Sequence, residues 1–172
     1  MRTFLAALVL LFLLPTQAYG ELLRTSLAQI VKDDRWSISE GIHGGKPLVI
    51  RFRDGFGSKP DVGAYPTLLR VTWTFNGGAS GMPDQAASKQ MEVFENRLVK
   101  VVEPDNAVLV AVVSNNGARE WAFYTSDAAE FGRLLTEMPQ EKERYPIEIS
   151  AESDPAWSFL YDDILAGTSS EA

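Results

Sequence analysis

From Leu68 to Phe75 the chain alternates strictly. Leu69, Val71, Trp73 and Phe75 fall on one side of an extended backbone, and Arg70, Thr72 and Thr74 on the other. Successive strand side chains point to opposite faces, so this segment belongs in a sheet with one apolar and one polar face. The rest of the chain must therefore supply apolar elements to cover the buried side.

Those elements follow in a regular order. Asp84 can cap a helix whose apolar positions Ala87, Met91, Phe94, Leu98 and Val101 or Val102 recur at steps of three and four, with Pro104 as its stop. Ala107 to Val113 is a continuous apolar run of strand length. Asn115-Asn116-Gly117 suits a tight hairpin, because Asn and Gly tolerate positive φ, and Arg119 to Thr125 returns as the partner strand. Asp127, with Glu130 three residues on, opens a second helix that sets Phe131, Leu134, Leu135 and Met138 on one face. Tyr145 to Ser150 is a further strand, and Asp154-Pro155 begins a last helix carrying Trp157, Leu160, Tyr161 and Ile164.

Upstream, Trp36 to Glu40 and Pro47 to Arg53 flank the Gly-rich turn Gly41 to Gly45 as a β-hairpin. Asp54 to Ala64 is a connecting loop, and Glu21 to Val31 has the periodicity of a short leading helix. The order from Leu68 onward is strand, helix, strand, strand, helix, strand. The expected fold class is therefore α+β, a ferredoxin-like two-layer sandwich (split βαβ) with an added N-terminal β-hairpin and a C-terminal helix. In that topology the first core strand lies between the third and fourth, both helices cover one side, and the other side stays open. Arg70 is then expected beside Glu120 or Tyr124 on one flank and Glu148 on the other. Ala107 to Val113 falls at an edge of the core sheet, where the hairpin, the last helix or a second chain must cover it.

The first twenty residues have a different character. Arg2 precedes an uninterrupted apolar run from Phe4 to Leu14, then Pro15 and the small residues Ala18 and Gly20. The run is well short of the roughly 20 residues that span a bilayer, so residues 1–20 read as a secretory signal peptide cleaved after Gly20. Residues 21–35 form a lead segment, 36–166 a single domain, and 167–172 a small polar tail expected to be disordered. The product is expected to be periplasmic or secreted, with no membrane attachment after cleavage.

Composition narrows the partners. With 16 basic against 23 acidic residues the net charge is −7, which opposes phosphate backbones and argues against nucleic acid. There is no cysteine, so neither a disulfide nor thiol chemistry is available, and the core alone must hold the fold.

A set of short motifs carries a family likeness: Gly45-Lys-Pro-Leu-Val-Ile-Arg51, Tyr65-Pro66, Arg70-Val-Thr-Trp73, Gly81-Met-Pro83, Val108 to Val112, Arg119-Glu-Trp-Ala-Phe-Tyr124, Tyr145-Pro-Ile-Glu-Ile149 and Asp154-Pro-Ala-Trp157. In this order and spacing they resemble the bacterial family labelled domain of unknown function 695, over nearly all of Trp36 to Leu165. The resemblance implies neither catalytic residues nor a cofactor.

Catalytic patterns are few. His43 is the only histidine and sits among turn glycines; no second imidazole can join it on a metal, and no Ser lies in a Gly-x-Ser-x-Gly elbow to use it as a base. The carboxylates Asp33-Asp34, Asp162-Asp163, and Glu148, Glu152 and Asp154 could form an acid and base pair or a hard-cation site, but none has the spacing of a ligand loop. No catalytic residue, metal ligand or cofactor is assigned.

The polar sheet face is the most informative feature. It is expected to carry Arg51, Arg53, Arg70, Thr72, Glu120, Tyr124 and Glu148, either as a water-exposed lattice of cross-strand pairs or as a recognition surface with Arg70 as its bidentate anchor. On that basis the chain is expected to be a binding or inhibitory module for another envelope protein. A carboxylate-dependent hydrolase of an envelope polymer and an immunity protein against a delivered toxin are the alternatives, and the oligomeric state is left open.

Overall fold

Among the described residues the strand signals of the sequence become six antiparallel strands in one sheet. The computed structural model describes residues 27–56, 62–103, 105–141 and 144–168. The expected signal peptide over 1–20, the first half of the expected leading helix, the middle of the loop after Arg53, Pro104 and the last four residues of the expected tail lie outside the described residues.

A short helix α1 (Leu27–Asp33) leads into the hairpin β1 (Trp36–His43) and β2 (Lys46–Arg53). A 3-10 turn (Val62–Ala64) precedes β3 (Thr67–Thr74), α2 (Gln85–Val102), β4 (Ala107–Asn115), β5 (Ala118–Thr125), α3 (Ala128–Glu137) and β6 (Ile147–Ser153). The strand order is β1-β2-β4-β5-β3-β6. β3 lies between β5 and β6, as expected, and the hairpin pairs through β2 with β4, so the apolar run of β4 is interior.

The local signals hold well. The Asp84 carboxylate accepts from the Ala87 N–H at 2.7 Å and starts α2, and Asp127 accepts from the N–H groups of Ala129 and Glu130 to start α3. The second cap is not a reciprocal box. Glu130 turns outward to Arg133, and the Asp127 N–H donates to the Thr125 hydroxyl instead. Asn116 and Gly117 make the tight turn at φ of 44° and 81°. A Cβ on Gly117 would stand 3.1 Å from the Phe75 carbonyl oxygen, so glycine is needed there for space as well as for φ.

Two expectations fail. The sheet is covered on both faces, not one. α2 and α3 pack Met91, Phe94, Leu98 and Phe131 onto Leu69, Val71, Trp73, Trp121 and Phe123. On the opposite face, Ile30 of α1 and Trp157, Leu160 and Ile164 near the C-terminus cover Phe52, Leu68, Val108, Ala122 and Tyr124. The reason is composition: β4 is apolar at consecutive positions, which demands burial on both sides. The last helix also departs from expectation. Pro155-Ala156 form a turn, Trp157 takes a left-handed φ of 58°, and the chain then winds as a π-helix (Phe159–Leu165) closed by the short α4 (Ala166–Thr168). Gly167 and Thr168, expected in the disordered tail, are part of α4. No described helix is long and apolar enough to cross a membrane.

Candidate functional site

The residues expected on one polar face divide between two. Paired strand residues share a face, so Arg51 (opposite Val112) and Arg53 (opposite Trp36) lie on the side covered by α2. Arg70, Thr72, Glu120, Tyr124 and Glu148 lie on the other side. A single surface joining all of them does not exist. β2 begins one register step away from the pattern assumed from β3, and one step exchanges the faces.

On the side of Arg70, charge is saturated. Arg70 stands opposite Ala122 and Ser150, with its guanidinium 4.9 Å from the Phe159 ring centre. It pairs with Glu120 at 3.3 Å and with Glu152, so the expected contact with Glu148 is replaced by one with Glu152. Glu148 instead stands across from Thr72 and is exposed. Burial pushes the Glu120 carboxyl up, helped by the nearby Glu152 charge and opposed by Arg70. Tyr124 is fully buried, stacks on Trp157 with ring centres 4.0 Å apart, and donates to Asp154 at 2.5 Å. Burial, then the Asp154 hydrogen bond and charge, drive the Tyr124 phenol far above its ordinary range.

Asp154 explains the local chain path. Its carboxylate also accepts from the N–H groups of Ser158 and Phe159, while the Trp157 indole donates to the Tyr65 carbonyl at 2.9 Å. Burial alone would raise Asp154, but the bonds from Tyr124, Ser158 and Phe159 outweigh it and hold the group low. The Asp-Pro-Ala-Trp motif is thus a capping and anchoring device that fixes the end of the chain to the sheet.

On the side of α2, cations are in excess only locally, where Arg51 and Arg119 face the single carboxylate of Glu95. Arg51 pairs with Glu95 at 2.5 Å, and the other Glu95 oxygen accepts from the Trp121 indole at 2.7 Å. Arg119, half-buried on β5, donates its Nε to the Ser114 hydroxyl at 2.9 Å. No ion pair of Arg119 is found among the described residues. Burial pulls the Arg119 guanidinium down; Glu95 opposes this and Arg51 adds to it. Farther along β2, Arg53 is 2% exposed, and it meets Glu103 at 3.1 Å, Asp34 at 3.3 Å and the Leu109 carbonyl at 3.0 Å. The guanidinium carbons of Arg51 and Arg53 lie 4.6 and 4.7 Å from the Trp36 ring centre. Burial pushes Glu103 up against the opposing pull of Arg53 and of the Leu109 N–H.

Glu95, Glu103 and Arg119 were missed in the sequence. Glu95 follows the core residue Met91 by one helical turn and Glu103 directly follows Val102, so acidic residues bordering a core stripe were the available signal. Two hollows, of about 860 and 430 Å³, flank Tyr145 on this same side, the larger floored by Trp73, Phe75 and Tyr145 with Lys89 and Arg144 at its lining. Among the described residues no group of three or more His, Asp or Glu side chains could hold a metal ion.

A family model described as a family of unknown function (DUF695) matches residues 34–165. The chain belongs to the DUF695 family. The match begins beside β1 and ends with the π-helix, so both arginine clusters of this DUF695 protein lie within it. No curated protein and no solved structure matches the chain significantly.

Proposed function

We propose that this protein is an exported binding module that receives an extended segment of another envelope protein along β1. The observation that carries the reading is the contrast between the two sheet edges. Edge strands expose unpaired backbone groups and are normally guarded by charge or distortion. β6 carries Glu148 and Glu152 on one face, which is guarded in this way, and on its other face exposes a single large apolar side chain, Ile149, to 45%. β1 pairs regularly with β2 over eight residue pairs and leaves Ile38 66% and Ile42 72% exposed on one face, where Glu40 between them is the single charge the strand supplies. A partner strand added there would gain main-chain hydrogen bonds and apolar contact together. A second copy of the chain is the poorer occupant, because the full chain already carries a net charge of −7 and cleavage behind Gly20 removes the further positive charge of Arg2.

The order β4-β5-β3-β6, with α2 and α3 on one face, supports a ferredoxin-like split βαβ unit to which β1 and β2 are added. The apolar run after Arg2 supports export to the periplasm or medium after cleavage behind Gly20. A carboxylate-dependent hydrolase is the second reading. It is favoured by Glu120 and Glu152 sharing Arg70, one half-buried with a raised pKa and the other exposed.

The test is capture of partners from periplasmic extract, followed by hydrogen exchange of the isolated complex. Protected β1 amides, and loss of the partner on Ile38→Lys with Ile42→Lys, are expected. Retention of the partner by that variant, or unprotected β1 amides in the complex, would rule out the edge-strand reading.

A further inference from the structure

We propose that Arg51 and Arg119 form a binding site for a small oxyanion, a carboxylate or a phosphate group, between β2, β5 and the middle of α2. The inference is independent of the β1 edge and rests on charge accounting in a half-buried place. Two guanidinium groups face one carboxylate there, Glu95, and that carboxylate already accepts from Arg51 and from the Trp121 indole. Each of its oxygens already accepts one hydrogen bond, neither of them from Arg119, which receives only the longer-range field of Glu95.

Arg119 is held in place all the same. Its Nε is fixed by the Ser114 hydroxyl, and Ser114, itself 3% exposed, stands directly opposite it in the β4–β5 ladder. With Nε anchored, the two terminal nitrogens form a fork, the geometry that suits a planar carboxylate or a phosphate edge. Arg51 has one terminal nitrogen on Glu95, and its Nε is buried without a hydrogen-bond partner. The Trp36 ring beside it limits its motion. One positive charge is left over between two fixed groups in partly desolvated surroundings, within a chain whose overall charge is negative. An incoming oxyanion would neutralise that excess and give the Arg119 fork, which is bonded through Nε to Ser114, a pair of charged acceptors, at little ordering cost because both side chains are already tethered.

The test is a titration of the full chain with inorganic phosphate and, separately, with acetate at constant ionic strength, followed through the arginine Nε–H resonances by NMR. A saturable shift of the Arg119 resonance is expected. Arg119→Ala should weaken binding at least tenfold, Arg119→Lys should weaken it in part, and Arg70→Ala should leave it unchanged. Glu95→Gln, which removes the competing carboxylate, should tighten it severalfold. The arm that saturates at lower concentration identifies the carboxylate or the phosphate as the preferred group. Shifts that fail to saturate in both arms, or equal weakening by Arg70→Ala and Arg119→Ala, would overturn the proposal.

Discussion

Arg70 and Arg119 sit on adjacent strands, β3 and β5, yet face opposite sides of the sheet and meet opposite electrostatic circumstances. Arg70 is enclosed by Glu120 and Glu152, with Asp154 nearby, so negative charge exceeds positive around it. Arg119 shares one occupied carboxylate with Arg51, so positive charge exceeds negative. The lesson is that an arginine's capacity to bind an anion depends on how many acceptors the fold has already given it. Burial alone does not decide it. Arg53 is the most buried of the four, and Glu103 with Asp34 leaves it no free charge.

The strongest way to break this comparison is to unbalance the most buried pair. Glu103→Ala would leave Arg53 with only the exposed Asp34 as a counter-charge, and a loss of roughly 3–5 kcal/mol is expected from urea unfolding. Arg53→Met combined with Glu103→Leu should recover much of it, because the pair's desolvation cost disappears along with its attraction. A small loss for Glu103→Ala would mean that Asp34 and the carbonyl contacts suffice to hold Arg53.

The saturated side can be probed next through Tyr124. Tyr124→Phe removes a hydrogen bond to an ionised acceptor, and about 1.5–3 kcal/mol is expected to be lost at neutral pH. The same residue sets an alkaline limit. The folded state keeps the Tyr124 proton at pH values where the unfolded chain releases it, and burial pushes Tyr161 up to about 12 in the same sense. The unfolded state then binds fewer protons, so stability must fall as pH rises above the ordinary tyrosine pKa of about 10. Denaturation midpoints measured from pH 9 upward should show this fall, and a shallower one in Tyr124→Phe. A flat profile would separate Tyr124 from the energetics of that face.

The smallest effect sharpens the contrast. Arg70→Ala removes a half-exposed ion-pair cluster and should cost only about 0–1 kcal/mol by thermal or urea unfolding. Raising salt should shrink the difference further. A loss comparable to that of Glu103→Ala would show that the Arg70 cluster is a structural centre.

Much of the architecture was legible in the residues themselves. The alternation of β3, the helical stripes of α2 and α3, the Asp84 and Asp127 caps and the Asn-Gly turn all act within a few residues, and each appears where the local pattern put it. The pairing of β3 with β5 and β6 followed from their order along the chain. The continuous apolar run of β4 also carries the two-sided burial, although the core topology by itself puts that strand at an edge. The partners of the arginines were not legible in this way. Whether Arg51 shares a face with Arg70, and whether Arg70 meets Glu148 or Glu152, depends on inter-strand register and on which helix lies over which strand. Local periodicity determined the elements because it is a property of neighbouring residues. Only the tertiary structure decided the charge balance at each arginine, because every group in that balance comes from a different element.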